Sequence, residues 1–293
     1  MRSRFSGVYT AIVTPFFEDT SIDEDSLRKL IQQQFESGVD GIVACGSTGE
    51  AATLSLDEYK WVLKISKEEC DKAGKKSIGG VMASSTSDAV MRSQIIDDLK
   101  YDAVLLVAPP YNKPPQSGLL AHFRTVAEAV AAPVIAYNIP GRTACTIQPE
   151  TLATLIEEQT IVGLKDSTGN LAMTLDLLSK VDAHSFGLLS GEDALFLPML
   201  SIGGSGIISA AANVMPKDFV KIYSRWLHKD IEAARILQAD AINRINSLYS
   251  DTNPIPVKYA LWKQGVIKSA AVRLPLVPIS EEAARNVDSA FEF

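Results

Sequence analysis

Eight short apolar runs, each bounded by Gly, Pro or a polar residue, recur along the first two-thirds of this chain. They are GVYTAIV (7–13), DGIVACG (40–46), SIGGVM (77–82), DAVLLVAP (102–109), PVIAYN (133–138), IVGLK (161–165), FGLLSG (186–191) and SGIISA (205–210). Inside each run apolar residues follow one another instead of alternating with polar ones. Strands with that pattern are buried on both faces, as in a parallel sheet covered by helices. Run starts recur roughly every 20 to 37 residues, the spacing of strand–helix units. Eight such units fit a closed (β/α)8 TIM barrel better than an open sheet. The fold class expected is therefore α/β.

The intervening stretches have helical period. Ser21 with Glu24, and Ser55 with Glu58, match the capping-box pattern for helix starts. Leu27, Leu30, Ile31 and Phe35 repeat at helical spacing until Gly38. Further helices are expected over 86–100, 118–131, 148–158, 170–180 and 192–201. Beyond residue 215 the strand-like runs cease, and 216–228, 230–249, 254–265 and 280–291 read as helical. The barrel is assigned to 1–228 and a C-terminal helical extension of the same structural unit to 229–293.

Composition removes several functions. Against 28 Lys and Arg stand 35 Asp and Glu, a net charge of -7. That balance argues against nucleic acid or an anionic membrane as the main partner. The first apolar run is far short of the roughly 20 residues a spanning helix needs. It also lacks a small-residue cleavage site, so no signal peptide is expected. Cys45, Cys70 and Cys145 are odd in number and show no zinc spacing, and they read as reduced thiols of a cytoplasmic protein. His122, His184 and His228 show no metal-ligand spacing either. No metal is expected, and Cys45 has no evident histidine partner.

In a barrel of this kind, chemistry gathers at the C-terminal ends of the strands. Strand 2 ends in Gly46-Ser47-Thr48-Gly49-Glu50, strand 5 in Tyr137-Asn138-Ile139-Pro140-Gly141-Arg142-Thr143, strand 6 in Lys165-Asp166-Ser167-Thr168-Gly169 and strand 7 in Gly191-Glu192-Asp193; Tyr111-Asn112-Lys113 follows strand 4. Lys165 closes an apolar strand. Burial there disfavours the ammonium form, and a neutral amine attacks a carbonyl to make a Schiff base. The bland reading is a lysine that snorkels to the rim or pairs with Asp166. The Gly46–Gly49 turn offers N–H groups and two hydroxyls to an anion, though many βα turns are equally Gly/Ser-rich. Arg142, on a loop after a Pro-Gly turn, either grips a carboxylate or is a solvated charge. Tyr137 either relays a proton or is a satisfied core residue. Lys113 and Lys258 are rival lysines, the first in a Pro-rich loop and the second on a helix. Neither rival has the buried-strand setting, and the convergence of Lys165, Arg142, two hydroxyls, Tyr137 and the Gly46–Gly49 turn on one barrel mouth favours the functional reading.

These strand ends resemble a known family. GSTGE (46–50), YNIPGRT (137–143) and GLKDSTGN (163–170) are similar to the three signatures of the pyruvate-dependent class I aldolases and lyases, the dihydrodipicolinate synthase and N-acetylneuraminate lyase family. VTPF (13–16), PPYNKP (109–114), LLSGEDA (188–194) and NPIPVKYA (253–260) extend the resemblance over nearly the whole chain. Arg142 and NPIPVK resemble the synthase branch. That resemblance implies condensation of pyruvate with L-aspartate 4-semialdehyde on the way to lysine and diaminopimelate. It also implies a homo-oligomer, a dimer or tetramer, with no cofactor beyond a covalent Schiff base.

Carried over by residue, Lys165 forms the Schiff base, and Ser47 and Thr48 hold the pyruvate carboxylate. Ser47, Tyr137 and Tyr111 make the proton relay, the last from a neighbouring subunit. Arg142 binds the semialdehyde carboxylate, and Ile208 and Gly191 line the pyruvate pocket. Two departures stand out. Ser47 replaces the family's usual threonine, and Pro110 replaces a tyrosine before Tyr111. Leu56, Tyr59 and Ser84 stand where lysine-sensitive members carry polar contacts, so weak or absent inhibition by L-lysine is expected. The alternatives are a sister lyase or aldolase acting on a sugar acid, and a catalytically idle pyruvate-binding barrel.

Overall fold

The computed structural model describes residues 5–182 and 185–293. Eight parallel strands form a closed barrel in sequence order: β1 Gly7–Ala11, β2 Gly41–Ala44, β3 Lys76–Val81, β4 Ala103–Val107, β5 Val134–Asn138, β6 Gly163–Asp166, β7 Gly187–Ser190 and β8 Gly206–Ser209. Each coincides with one of the eight apolar runs, although β3 starts one residue before its run, at Lys76, and β6 ends one residue beyond its run, at Asp166; every strand residue but Lys76 is buried. His184, one of the three histidines weighed above, lies outside the described residues.

Contacts along the chain divide it into two compact units. One comprises the described residues 5–7 together with Ser77–Ile208. Its strands are stitched in parallel from β3 to β8, with Tyr137 beside Lys165, and Lys165 in turn beside Leu189. Its helices include α3 Thr86–Asp98, α4 Gln116–Glu128, α5 Pro140–Thr143, α6 Pro149–Glu157, α7 Leu171–Leu178 and α8 Phe196–Ser201. In α4 the buried residues Leu119, His122, Phe123 and Val126 recur at three- and four-residue spacing, so one face packs inward.

The other unit comprises Val8–Lys76 and Ser209–Phe293. β1 pairs with β2. Its helices are α1 Glu24–Glu36, α2 Leu56–Ala73, α9 Pro216–Leu227, α10 Ile231–Ser247, α11 Ile255–Lys263 and α12 Glu281–Phe291. The α2 start follows the sequence pattern. Ser55 Oγ accepts from Glu58 N at 3.2 Å, and Glu58 Oε2 accepts from Ser55 N at 2.8 Å. Gly74, at φ +63°, closes the helix in a left-handed conformation that a Cβ disfavours.

The α1 start differs from the expected Ser21–Glu24 box. Asp23 is the cap, accepting from Ser26 N at 3.1 Å and Ser26 Oγ at 2.7 Å. The Ser21 hydroxyl is already committed to Asp19, at 2.6 Å. A carboxylate at the positive end of the helix is also the better acceptor.

Candidate active site

Strand alternation decides what Lys165 and Asp166 do. Successive side chains on a strand point to opposite faces. Asp166 turns away and accepts from Thr168 N at 2.8 Å and from Thr174 Oγ1 at 2.6 Å. Its carboxylate is thereby tied to the loop and to α7. Lys165, 7% exposed, carries its Nζ 4.2 Å from the centroid of the Tyr137 ring. An ammonium over an aromatic face is attracted by the ring quadrupole, so the strand register aligns the two side chains.

Gly191 follows β7 and donates its N–H to Asp166 O at 2.7 Å. It tolerates no side chain. A Cβ there would stand 2.0 Å from Ser167 Oγ and 3.0 Å from Lys165 Cε. The glycine therefore keeps open the space beside the lysine stem. Ile208 on β8 is fully buried in the same unit. The Glu192 carboxyl is pushed up by burial first and then by Asp193, while Lys165 pulls it down.

Arg142 sits in α5, a single helical turn, and not on a loop as the Pro-Gly pair suggests. Pro140 at the first helical position is pre-set for a turn, which explains the difference. Its side chain is exposed. The following segment is fixed by Asn138, which donates from Nδ2 to Ile147 O and accepts from Ile147 N, both at 3.0 Å. Tyr111 is 89% exposed and adopts φ +72°.

In the other unit the Gly46–Glu50 turn is built as a fixed cradle. N–H groups of Gly49, Glu50 and Ala51 close the turn on the carbonyls of Gly46 and Ser47. Thr14 Oγ1 donates to Gly49 O at 2.7 Å. Thr48 is 4% exposed, and its hydroxyl oxygen accepts from Asn253 Nδ2 at 3.0 Å. Ser47 is half-buried.

Beneath the turn lies a pair that the sequence does not advertise. Lys258 on α11 is completely buried, and its Nζ forms an ion pair with Glu50. That Nζ also donates to Ala271 O at 2.9 Å and lies 3.9 Å from the centroid of the Phe16 ring. The second Glu50 oxygen accepts from Arg273 N at 3.0 Å. Burial pushes the Lys258 amine down to about 8, with Glu50 pulling the other way. Arg273 in turn grips Glu58, holding that carboxyl near 2.

The family model for the dihydrodipicolinate synthetase family matches residues 4–292. The chain belongs to that family. A relative from Methanosarcina barkeri, named 4-hydroxy-tetrahydrodipicolinate synthase, is 41% identical over 283 residues, 97% of this chain and 96% of its own. A dihydrodipicolinate synthase from Acinetobacter baumannii, solved in complex with pyruvate, superposes with a TM-score of 0.94 at 38% identity, covering 98% of each chain. The enzyme from Cyanidioschyzon merolae, solved with lysine bound, gives 0.94 at 34% identity, covering 98% of this chain and 97% of that one.

Family membership matches the resemblance in the strand-end motifs. Within one unit the structure gathers Lys165, Tyr137 and Gly191, with Ser167 and Glu192 beside them. Within the other it gathers Thr48, Glu50, Asn253 and Lys258. Ser167, Glu192, Asn253 and the Lys258–Glu50 pair were not singled out from sequence. Lys258 was set aside because it lies on a helix, yet it is more deeply buried than Lys165. No run or spacing links residue 50 to residue 258. Among the described residues no group of three or more His, Cys, Asp or Glu is arranged to hold a metal ion, and no helix is long and apolar enough to cross a membrane.

Proposed function

We propose that this chain condenses pyruvate with L-aspartate 4-semialdehyde to give 4-hydroxy-tetrahydrodipicolinate. The observation that carries the reading is Lys165, buried at a strand end over the Tyr137 face, in a chain whose relatives bear that enzyme's name. The Lys165 amine attacks the pyruvate keto carbon and forms an imine. The imine acidifies the adjacent methyl group, so an enamine forms and adds to the aldehyde. No cofactor is needed, because the imine nitrogen takes up the electron pair.

Two acidic substrates require two anion sites. Thr48 and Ser47 hold the pyruvate carboxylate with hydroxyls and N–H groups at the head of a turn already fixed by Thr14 and Asn253. Arg142, exposed on its helical turn, takes the semialdehyde carboxylate as a bidentate partner. Ser47, Tyr137 and Tyr111 pass protons to and from carbon. The high exposure of Tyr111 within its own chain supports its donation to a neighbouring copy in a homo-oligomer. Ile208 and Gly191 shape the pyruvate pocket. Three free, buried cysteines suit a cytoplasmic enzyme.

The test is the initial rate with pyruvate and L-aspartate 4-semialdehyde, coupled to a reductase that consumes the cyclic product. A saturable rate in both substrates is expected. Borohydride trapping of pyruvate on Lys165 without turnover of the semialdehyde would assign the chain to a sister lyase instead.

Insensitivity to L-lysine belongs to the same reading. Leu56 is apolar, and the Tyr59 side chain is buried. Ser84 offers its backbone carbonyl to Asn112 at 2.6 Å. These residues offer a bound amino acid little charge or hydrogen bonding. Half-inhibition should need more than about 1 mM L-lysine, a binding free energy of roughly 4 kcal/mol at most. Inhibition well below that concentration would refute the assignment.

A further inference from the structure

We infer that Asn253 is a positioning residue that fixes the polarity of the Thr48 hydroxyl, so that the Gly46–Glu50 turn takes an ionised carboxylate and rejects a neutral acyl group. The inference rests on the carboxylate-holding role of Thr48 in the proposed function and adds a residue and a specificity to it.

A hydroxyl has one proton to give and two lone pairs that receive. One Thr48 lone pair is filled by Asn253 Nδ2 at 3.0 Å. Among the described residues no group accepts the Thr48 proton. The carbonyls of the turn are already engaged. Gly46 O accepts from Gly49 N at 3.1 Å and Ala51 N at 3.3 Å, and Ser47 O accepts from Glu50 N at 3.1 Å. Gly49 O accepts from Thr14 Oγ1 at 2.7 Å. Thr48 is 4% exposed, so bulk water has little access to it. The N–H groups of Ser47 and Thr48 likewise meet no acceptor among the described residues. Two N–H groups and one O–H therefore remain as donors at the head of the turn. Their partner must accept without donating. An ionised carboxylate does so, whereas a carboxamide brings N–H groups of its own.

Asn253 decides the sign of this arrangement. With the carboxamide turned the other way, Oδ1 would take the Thr48 proton and leave only lone pairs for the ligand. The side chain stands just ahead of α11, where Thr252 O accepts from Ile255 N at 2.8 Å. Further along α11, Lys258 pairs with Glu50 at the far end of the same turn. One stretch of chain thus grips the turn at both Thr48 and Glu50. Hydrogen bonds to an ionised acceptor are the stronger kind. A ligand that leaves enclosed donors unpaired is penalised by more than one lost contact.

The experiment is borohydride trapping on Lys165 in the full-length chain at neutral pH, with pyruvate and, separately, with pyruvamide, its neutral analogue. The concentration giving half of the maximal Lys165 adduct is read by mass analysis for native enzyme, N253A, N253D, T48V and the T48V/N253A double variant. N253A frees the hydroxyl to rotate and should weaken pyruvate about tenfold. N253D replaces the amide donor with a carboxylate that takes the Thr48 proton, and should weaken pyruvate about 100-fold. Pyruvamide should shift by less than about threefold in both, because its amide can donate to the Thr48 oxygen. In the T48V background N253A should cost nothing further, as for any pair that acts as a unit. Equal losses for pyruvate and pyruvamide would reduce Asn253 to a structural role. Unchanged or tighter pyruvate binding in N253D would mean that the Thr48 hydroxyl already donates to Asn253. A loss from N253A that persists in T48V would mean that Asn253 acts elsewhere. Each of these three results would overturn the inference and leave the Schiff base standing. Failure of the native enzyme to trap pyruvate at all would overturn the Schiff base, and the inference with it.

Discussion

At the scale of single residues, the strand end sorts side chains by parity. Lys165 and Asp166 are adjacent, yet one faces the Tyr137 ring and the other is tied to Thr168 and Thr174. Pairing between them, the bland reading of the sequence, is excluded by that alternation. Lys165 was legible because an apolar strand ending in lysine leaves few places for the charge. Ser167 was not, because a serine in a Ser-Thr-Gly turn is common, and only Gly191 crowding against it shows where its hydroxyl points. Replacing Lys165 tests the proposed arrangement. Lys165→Ala should lower the condensation rate by at least about 10³ and abolish the borohydride adduct, because no other amine takes its place. Near-native turnover would place the covalent step elsewhere, and an adduct retained on Lys258 would identify the replacement.

At the scale of elements, all eight strands and the main helices were readable from apolar runs and helical period. The cap of α1 differs from the expectation because Ser21 with Glu24 satisfies the box in sequence, whereas Asp23, followed three residues on by Ser26, does not, and the Ser21 hydroxyl is already bonded to Asp19. The hold of α11 on the Gly46–Glu50 turn was invisible, since it joins residues 50 and 258 through one buried pair. Breaking such a pair leaves an uncompensated charge in the interior, which typically costs 3–5 kcal/mol. Lys258→Met should therefore destabilise the chain by about 3–5 kcal/mol in denaturant unfolding. Lys258→Met combined with Glu50→Gln should recover much of that loss, because the stranded carboxylate is gone. Because Glu50 ends the turn that carries Thr48, the double variant should also raise the Michaelis constant for pyruvate more than it lowers the turnover number. A double variant no more stable than Lys258→Met would show that packing, and not charge, makes the contribution.

At the scale of the whole molecule, the barrel is stable only where its interior polar groups stay in the protonation state the fold selects. His122 on α4 is the clearest case. Its Nδ1 lies 3.0 Å from Thr86 Oγ1, its Nε2 has no hydrogen-bond partner, and the residue is 4% exposed. Burial alone pushes the imidazole down to about 4 from the ordinary 6.5. In the unfolded chain the ring takes up a proton as pH falls through 6.5, while the folded chain resists until about 4. The unfolded state thus binds more protons over that window, and stability falls with falling pH. The contribution is fully present above the unfolded value and is lost by the folded one. At 1.36 kcal/mol per unit over that gap it amounts to about 3 kcal/mol. Other carboxylates titrate in the same range, so the informative quantity is the difference between native protein and His122→Leu, which cannot titrate. Between pH near 7.5 and pH near 4 the native protein should lose about 3 kcal/mol relative to that variant in denaturant unfolding. A difference that stays constant across the range would mean that His122 is already charged in the folded state, or that water reaches Nε2 and shields it. In either case acid unfolding would have to start from the carboxylates tied to Arg28 and Arg273 instead.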